Sequence, residues 1–418
     1  MNVVEYLFEK SHGLQKDFIV GTQEKIAYPE LHEKVQRLAL YLVHHVGSRK
    51  EVLLLSENNL FFVVAYLAIL KSGNTVILTE TKISQEELDS IIQRCSLVAV
   101  FVQAKLKDKI AHSHITAITD RDVEDILSDS SLEVTDLPSV SEDDIAEIIF
   151  TSGSTGPNKG VMLTHKNIRA NTESILSYLN LTEQDRMEVV LPFFYCYGLS
   201  LLHTHLRIGG SLVLNHSIFL GSVIKEINEF ECTGFAGVPS TYQILIHETD
   251  FLSKQFSTLR YMTQAGGKLA NNYIEQIANA FPQKNFFVMY GATEATARMS
   301  YLPPQLLREK LGSIGKGIPG VKLEVVDERG NPIRSGEVGE IVATGDNIMK
   351  GYYRDSKGTS QVLRNGRYHT GDLATIDEDG FIYVVGRAKN IIKSAGYRIS
   401  PYEIEGVIHA VKGVSACA

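Results

Sequence analysis

Strand-like and helix-like segments alternate along the first hundred residues, and this alternation restricts the fold more than any other feature. The short segments are apolar throughout, as in buried strands, and the longer ones carry apolar residues at helical spacing. The predicted elements are a helix at 28–46, a strand at 51–55, a helix at 60–71, a strand at 75–78, a helix at 84–95 and a strand at 96–102. This order predicts parallel α/β layers.

Two later segments do not follow this alternation of strands and helices. Residues 120–144 are acidic and weakly periodic, so we predict a surface connection there. Past residue 318 the chain reads as short strands separated by Gly and Asp turns, which predicts a small β-rich subdomain. Its predicted strands are 322–327, 339–344, 374–377 and 381–385.

One ten-residue segment combines hydroxyl side chains, glycines and a single lysine. Its residues are Thr151, Ser152, Gly153, Ser154, Thr155, Gly156, Pro157, Asn158, Lys159 and Gly160. Glycines let backbone amides approach an anion, and lysine adds a compact positive charge, so the segment predicts a triphosphate-binding loop. Strand-like segments at 145–150 and 161–163 flank it, which argues against a flexible linker. The spacing also differs from the common P-loop.

The composition excludes several classes of protein. The chain has 418 residues, enough for two or three domain-sized units, and its net charge of -8 argues against a general nucleic-acid binder. The longest apolar run, 60–70, is too short to span a bilayer, and residues 1–20 show no signal-peptide pattern. The four cysteines lack metal-binding spacing and indicate a reducing compartment. We therefore expect a cytoplasmic protein without a membrane span.

Three further segments carry side chains that suit a nucleotide. In the segment 290–294, Tyr290 offers a flat face for a base, while Thr293 and Glu294 could ligate a Mg²⁺ ion that carries phosphates. Downstream, Asp372 could accept hydrogen bonds from ribose hydroxyls, and Arg387 could orient ribose or phosphate. The third segment, 392–399, is a glycine-centred hairpin. Alone, each is more often an ordinary turn; beside the phosphate loop, together they indicate a nucleotide site.

Taken in order, the motifs TSGSTGPNKG, YGATE, YHTGD and GRAKNIIKSAGYRISPYEIE resemble those of the acyl-adenylate-forming superfamily. This superfamily includes acyl-CoA synthetases, adenylation domains of peptide synthetases and beetle luciferases. The resemblance implies an α/β fold: a large N-terminal domain at 1–388 with two αβ layers and a β-barrel-like subdomain from about 318 to 388. A partial small mobile C-terminal domain would follow at 389–418.

The resemblance further implies a two-step reaction. A carboxylic acid attacks the α-phosphate of ATP, releasing pyrophosphate and forming an acyl-AMP. A phosphopantetheine thiol, of coenzyme A or a carrier protein, then takes the acyl group. ATP, Mg²⁺ and coenzyme A or a phosphopantetheine carrier protein are therefore the expected cofactors.

The resemblance implies roles for individual residues at the positions that match the family's motifs. Thr151, Lys159, Thr293 and Glu294 would be catalytic, and Glu294 would hold Mg²⁺. The residues expected to bind ATP or AMP are Thr151, Ser152, Gly153, Ser154, Thr155, Gly156, Lys159, Gly266, Gly267, Lys268, Tyr290, Gly291, Ala292, Thr293, Asp372 and Arg387. Tyr195, Gly237 and Ala265 would border the acyl pocket. Lys389 would be the hinge, and Gly396 would line the thiol tunnel.

The chain departs from the family pattern at three places. Pro157 and Asn158 stand in the reverse of the common order, and Tyr195 occupies a position where many acyl-CoA synthetases have histidine. In the family, a C-terminal domain with a catalytic lysine continues for about 80 to 100 residues beyond the position of Ala418. We therefore expect the chain as given to bind ATP and an acid but to adenylate poorly.

Several alternatives stay open at this point. Phe193, Phe194 and Tyr195 offer no carboxylate for an α-amino group, which favours a fatty or other hydrophobic acid over an amino acid. An acyl carrier protein and coenzyme A both remain candidate acceptors, and the oligomeric state is not predicted. A non-catalytic protein that binds nucleotide or acyl-adenylate is one alternative, and a phosphotransferase that would release ADP is another.

Overall fold

The structure is a computed structural model that describes residues 1–129, 136–151, 158–217 and 219–389, the segments 392–394 and 397–399, and residues Ile404 and Ile408. In chain order, the helices it describes are α1 Val3–Phe8, α2 Tyr28–His45, α3 Leu60–Lys71, α4 Gln85–Arg94, α5 Asp120–Ser128, α6 His165–Leu179, α7 Cys196–Ile208, α8 Gly221–Glu229, α9 Pro239–Glu248, α10 Asn271–Ala280 and α11 Ser356–Val362.

The strands are short, and most have two to seven residues. In chain order those described are β1 Asp17–Ile19, β2 Ile26–Ala27, β3 Glu51–Leu55, β4 Thr75–Leu78, β5 Leu97–Val102, β6 Thr116–Thr119, β7 Ile145–Thr151, β8 Lys159–Thr164, β9 Arg186–Val189, β10 Ser211–Leu214, β11 Gly234–Gly237, β12 Tyr261–Gln264, β13 Asn285–Tyr290, β14 Ser300–Leu302, β15 Lys316–Gly317, β16 Val321–Val326, β17 Gly339–Gly345, β18 Gly351–Tyr352, β19 Leu363–Arg364, β20 Arg367–Ile376, β21 Ile382–Arg387, β22 Ile392–Ser394 and β23 Tyr397–Ile399.

The chain divides into two compact units, which we call unit 1 and unit 2. Unit 1 comprises Met1–His216 and Met349–Ser356, and unit 2 comprises Ser217–Ile348 and Lys357–Ala418. The predicted domain boundary at 388 stays a prediction. In the described part of the chain, no helix combines the length and the apolar character needed to cross a bilayer.

Unit 1 contains a seven-stranded sheet in the order β18-β8-β7-β4-β3-β5-β6. The strands from β7 to β6 pair in parallel, and β8 and β18 add an antiparallel edge. In the same unit, β9, β10 and β1 pair in parallel and β2 is antiparallel to β1. Parallel strands joined by helices are the predicted α/β arrangement, which the structure confirms.

Local signals explain where the helices of unit 1 begin. Asn59 caps α3 by accepting a hydrogen bond from the Phe62 amide at 2.7 Å. Thr164 and Asn167 form a reciprocal capping box at the start of α6. Helix α3 is apolar on every side, and its residues from Phe62 to Leu70 are buried. Such a helix packs against the sheet on one face and against other helices on its remaining faces.

The segment 120–144, predicted as a surface connection, begins with a helix that was not predicted. Residues Asp120–Ser128 form helix α5, and Thr119 caps it together with Asp122 in a capping box. Val123, Ile126 and Leu127 stand at helical spacing, although only Val123 is fully buried. Both the apolar spacing and the capping box are signals in the sequence, and the prediction overlooked them.

Unit 2 combines a parallel sheet with an antiparallel one. Strands β11, β12 and β13 pair in parallel, and β14 and β15 continue antiparallel from β13. The β-rich segment predicted past residue 318 forms a separate antiparallel sheet in the order β16-β17-β20-β19, with β21 beside β20. A small core of Val325, Ile333, Ile341, Ala374 and Ile382 supports it. Strands β22 and β23 form the predicted hairpin, whose central Gly396 lies outside the described residues.

Candidate active site

A cavity of about 230 Å³ lies within unit 2. Its wall is built from the loop after β12, the end of β13 and the facing ends of β20 and β21. The lining includes Gly266, Gly267, Lys268, Tyr290, Gly291, Asp372 and Arg387. All of these residues were predicted from the sequence to contact a nucleotide, although 106 residues of chain separate the first from Asp372. The fold of unit 2 brings them to one cavity.

A chain of three polar side chains crosses this cavity. Tyr290, the last residue of β13, donates its hydroxyl hydrogen bond to Asp372 Oδ2 at 2.6 Å. On the other side, Arg387 Nε lies 3.0 Å from Asp372 Oδ1. Burial, together with the Asp372 carboxylate, raises the pKa of the Tyr290 hydroxyl well above its ordinary value, so this group stays a donor. Asp372 is thereby held by both of its oxygens.

Strand pairing explains why Asp372 and Arg387 meet. They are direct cross-strand partners in the antiparallel pair β20 and β21, so their side chains leave the sheet on the same face. The Asp372 side chain is 12% exposed and the Arg387 side chain is 60% exposed. The carboxylate is therefore a fixed acceptor within the wall, whereas the guanidinium remains accessible to a ligand.

The loop after Tyr290 is held tightly by its own backbone. A methyl group on Gly291 would lie 1.7 Å from the carbonyl oxygen of Ala297, so only glycine fits there. Thr293 and Glu294 begin a short 3₁₀ turn, Thr293–Ala295, and both are partly exposed. The predicted Ala292 precedes the same turn.

Asn347 braces this loop from within unit 2. Its side-chain amide nitrogen donates to the Ala295 carbonyl at 3.1 Å, and its backbone carbonyl accepts from Thr296 Oγ1 at 2.7 Å. Asn347 is buried, and the sequence offered no local signal for it, because it belongs to no motif and lies 51 residues from Thr296. The side-chain amide of Asn347 thus gives a carbonyl of this loop the hydrogen bond that a neighbouring strand would otherwise supply.

The oxygen ligands available at Thr293 and Glu294 suit Mg²⁺ better than a metal whose ligands must all come from protein side chains. Among the described residues, no group of three or more His, Cys, Asp or Glu side chains could hold a metal. Mg²⁺ characteristically uses one or two carboxylates together with phosphate oxygens and waters. One carboxylate, from Glu294, and one hydroxyl, from Thr293, match that requirement in the presence of a polyphosphate.

Small residues lie at the ends of β11 and β12 in unit 2. Gly237 is the strand partner of Gln264, and Ala265 follows immediately as a buried residue. A methyl group on Gly237 would lie 3.0 Å from the Tyr242 ring and 3.1 Å from the Thr241 side chain. The predicted acyl-pocket residues of unit 2 are therefore adjacent in the sheet, and the space beside them is narrow.

Unit 1 holds the base of the predicted phosphate loop. Thr151 and Lys159 are paired residues at the loop end of the β7 and β8 hairpin, and Thr151 Oγ1 donates to the Lys159 carbonyl at 3.4 Å. Lys159 Nζ lies 4.5 Å from the centre of the Tyr352 ring. The remaining predicted loop residues, Ser152, Gly153, Ser154, Thr155 and Gly156, lie outside the described residues.

Helix α4 contacts the same hairpin and was not predicted to do so. Arg94 Nη1 donates to the Asn158 carbonyl at 2.7 Å, and its guanidinium lies 5.6 Å from the Phe150 ring centre. Arg94 thus joins the two strands that lead into and out of the loop. Nothing in the sequence near Arg94 signals this contact, which depends on the packing of α4 against the sheet.

Tyr195 caps the start of α7 in unit 1 and is 42% exposed. Burial and the neighbouring Glu80 carboxylate raise the pKa of its hydroxyl. The loop before it is fixed by Asn58, whose amide nitrogen donates to the Leu191 carbonyl at 2.8 Å. The Asn58 side-chain oxygen also accepts from the Phe193 amide at 2.7 Å. Asn58 is a second bracing amide that the sequence did not reveal.

The predicted hinge, Lys389, is exposed and lies two residues after the end of β21. Just before it, the Ala388 amide donates to the Gly371 carbonyl at 2.9 Å. The backbone next to Lys389 is therefore connected to the turn that carries Asp372. The predicted thiol-tunnel residue Gly396 lies outside the described residues.

Known proteins resemble this chain in sequence and in structure. The family described as AMP-binding enzyme matches residues 9–353. Feruloyl-CoA synthase of an Amycolatopsis species is 36% identical over 291 residues, which make up 68% of this chain and 58% of that protein. The chain thus spans a little over half of the length of that curated relative.

Two solved structures share the fold closely. One is o-succinylbenzoate CoA synthetase from Bacillus subtilis in complex with the acyl-adenylate intermediate OSB-AMP, with a TM-score of 0.90 and 26% identity. The other is ATP-bound MatB from Rhodopseudomonas palustris, with a TM-score of 0.90 and 27% identity. Each alignment covers 99% of this chain and 84% of the other chain.

Proposed function

Because the chain belongs to the AMP-binding enzyme family, we propose that it activates a carboxylic acid with ATP and passes the acyl group to a thiol. A carboxylate oxygen attacks the α-phosphorus, the bond to the bridging oxygen breaks, and pyrophosphate leaves. The thiol sulfur then attacks the acyl carbon of the acyl-AMP, and AMP leaves as the thioester forms. A poor leaving group becomes a good one in the first step.

The observation that carries the proposal is the convergence of Tyr290, Asp372 and Arg387 on one cavity of unit 2. The Tyr290 ring offers a surface on which adenine can stack. Each Asp372 oxygen has two lone pairs and uses one for Tyr290 or Arg387, so each keeps one for a ribose hydroxyl. The exposed guanidinium of Arg387 can approach ribose or phosphate.

The phosphate contacts follow from the remaining predicted residues. Thr293 would contact the α-phosphate and Glu294 would hold Mg²⁺, while Thr151 and Lys159 would bind phosphate in unit 1. When bound, Mg²⁺ neutralises the charge on the phosphate oxygens. Such catalysis relies on positioning and charge compensation rather than on a protein nucleophile.

We propose that the acid carries an uncharged acyl or aryl tail and that coenzyme A is the acceptor. The aromatic wall around Phe193, Phe194 and Tyr195 supports such a tail, and the relative named above is a CoA synthase. An acyl carrier protein is the alternative acceptor. Lys389 would act as the hinge and Gly396 as part of the thiol path, in a protein of the cytoplasm.

The test is to incubate the protein with ATP, Mg²⁺ and a panel of fatty and aromatic acids, and to separate the nucleotides by chromatography. Adenylation releases pyrophosphate and forms acyl-AMP, and adding coenzyme A yields a thioester together with one AMP for each pyrophosphate. The Asp372→Asn variant should lower kcat/KM for ATP by about tenfold or more. The matched Asp379→Asn variant, at an exposed site on the same hairpin, should leave it unchanged.

Each other outcome has a distinct meaning. Production of ADP instead of AMP would indicate phosphoryl transfer and contradict adenylation. Tight binding of AMP in isothermal titration without turnover of any acid would favour the non-catalytic nucleotide-binding protein. Equal loss in the Asp372 and Asp379 variants would show that Asp372 has no special part in nucleotide recognition.

A further inference from the structure

Asp372 reaches the cavity because β20 bulges away from β17 at that point. Two residue pairs, Glu340 with Leu373 and Val342 with His369, lie on either side of the irregularity. Between them β17 has one residue, Ile341, whereas β20 has three, 370–372. Such an insertion bends a strand and redirects its side chains. The bulge therefore decides where the Asp372 carboxylate lies.

Backbone conformation alone does not maintain this bulge. Gly371 at its centre has φ +74°, and a methyl group there would meet nothing within 4 Å. The bulged backbone leaves amide groups without ladder partners, and each needs another acceptor. Thr370 supplies one, because its hydroxyl accepts from the Asp372 amide at 3.0 Å and donates to the Ile341 carbonyl at 2.9 Å.

Glu340 supplies the second acceptor and holds the bulge from the side of β17. Its Oε1 accepts the Gly371 amide at 3.1 Å, and its Oε2 lies 2.8 Å from His369 Nδ1. Arg364 Nη2 lies 3.3 Å from the same Oε2. One carboxylate thus binds both the centre of the bulge and the residue at which it begins.

Glu340 does this without reaching the nucleotide cavity. It lines a different cavity of unit 2, of about 510 Å³, together with His369 and Arg364. The Glu340 side chain is 25% exposed and that of His369 is 14% exposed, so the pair is only partly screened by solvent. Any effect of Glu340 on a nucleotide must therefore pass through residues 370–372.

We propose that Glu340 is a positioning residue for nucleotide recognition: it fixes the 370–372 bulge so that Asp372 presents its carboxylate to the ribose hydroxyls. This inference rests on the proposed function, since it takes the cavity of unit 2 to be the AMP site. Loss of Glu340 should change the preference for AMP over a deoxy analogue, and it should leave the affinity for that analogue nearly unchanged. A hydrogen bond to a charged group is worth enough that its misplacement costs about tenfold in affinity.

The experiment compares the affinities of AMP, 2′-deoxy-AMP and 3′-deoxy-AMP by isothermal titration. Wild type should prefer AMP over at least one deoxy analogue, and Asp372→Ala should abolish that preference. Glu340→Ala should reduce the preference by about tenfold while changing the affinity for that analogue by less than about twofold. Glu340→Gln keeps an oxygen acceptor for the Gly371 amide and should therefore retain most of the preference for AMP. Glu378→Ala, at an exposed site in the turn between β20 and β21, is the control.

The outcomes separate the inference from the function beneath it. If Asp372→Ala loses the preference and Glu340→Ala keeps it, the role of Glu340 is wrong and the AMP site stands. If wild type has no preference for AMP, or if Asp372→Ala keeps that preference, Asp372 does not recognise the ribose hydroxyls. The proposed role of Glu340 is then contradicted as well. Equal weakening for all three nucleotides in Glu340→Ala would show general damage and contradict positioning. Glu340→Leu, which fills more of the same space but offers no acceptor, replaces Glu340→Ala with the same expected result if that variant does not fold.

Discussion

A buried glutamate in unit 1 should make the stability of the protein depend on pH in an unusual direction. Glu147, in the middle of β7, is 1% exposed. Tyr66 donates to its Oε2 at 2.9 Å, and His203 Nε2 lies 2.7 Å from the same Tyr66 hydroxyl. Burial raises the pKa of Glu147 to about 7, although the Tyr66 hydrogen bond opposes the shift. We therefore predict that Glu147→Gln stabilises unit 1 at alkaline pH.

The sign and size follow from the difference in pKa between the folded and unfolded chain. Below the ordinary value of 4.5, both states hold the proton and the glutamate has no pH-dependent cost. Between 4.5 and about 7 the unfolded state ionises while the folded state keeps the proton, so stability falls over this range and the loss is complete once the pH has passed about 7. At about 1.4 kcal/mol per pKa unit, the total loss is about 3 kcal/mol. Glutamine cannot ionise, so the variant should gain that amount relative to wild type above pH 8.

The measurement must report on unit 1 by itself, because a chain with two units need not unfold in one step. Hydrogen exchange at peptides covering β7 gives the opening free energy there, and comparing the two chains at the same pH cancels intrinsic rates. The opening free energies of wild type and Glu147→Gln should agree within about 1 kcal/mol at pH 5 and differ by about 3 kcal/mol at pH 8.5. Glu86→Gln, at an exposed site in α4, is the control.

One result would refute this reasoning. If the difference between wild type and Glu147→Gln is the same at pH 5 and pH 8.5, Glu147 does not titrate between them. The buried histidines do not confuse the comparison, because both chains contain them. Burial lowers the pKa of His203 to about 3, so its own contribution to stability is lost as the pH falls from 6.5 towards 3.

Three further predictions concern single residues. Gly291→Ala places a methyl group 1.7 Å from the Ala297 carbonyl oxygen, so it should lower the melting temperature by several degrees and abolish AMP binding in titration. Tyr290→Phe removes the 2.6 Å bond to Asp372 but keeps the ring, so it should weaken AMP binding by about tenfold with little change in melting temperature. Burial lowers the pKa of His165 to about 4, so stability should fall as the pH drops from 6.5 through 4. His165→Gln should make that loss shallower in exchange measurements at α6. An unchanged melting temperature for Gly291→Ala, unchanged AMP affinity for Tyr290→Phe, or an identical acid slope for His165→Gln would each contradict its prediction.

Local patterns were enough to predict most of the secondary structure. The predicted helix at 28–46 is α2, and the strands at 51–55 and 75–78 are β3 and β4 with the same bounds. These elements have strong periodicity or a continuous apolar run, so a window of a few residues contains the information. Helix α5 was missed although its cap and the spacing of Val123, Ile126 and Leu127 are local signals, because the acidic composition of the segment was given more weight. The motifs placed Tyr290 and Asp372 at strand ends or turns, but motif order alone does not give the distance between two side chains.

The sequence by itself determined the chemistry of the site, because a hydroxyl, a carboxylate and a guanidinium keep their properties in any fold. It also determined the alternation of strands and helices, which depends on neighbouring residues. Only the tertiary structure decided which side chains support the site. In unit 2, Glu340 and Asn347 brace candidate segments through contacts with residues 31 and 51 positions away. In unit 1, Asn58 and Arg94 do so through contacts with residues 135 and 64 positions away. Such contacts arise from strand order and packing, and no short window of sequence records them.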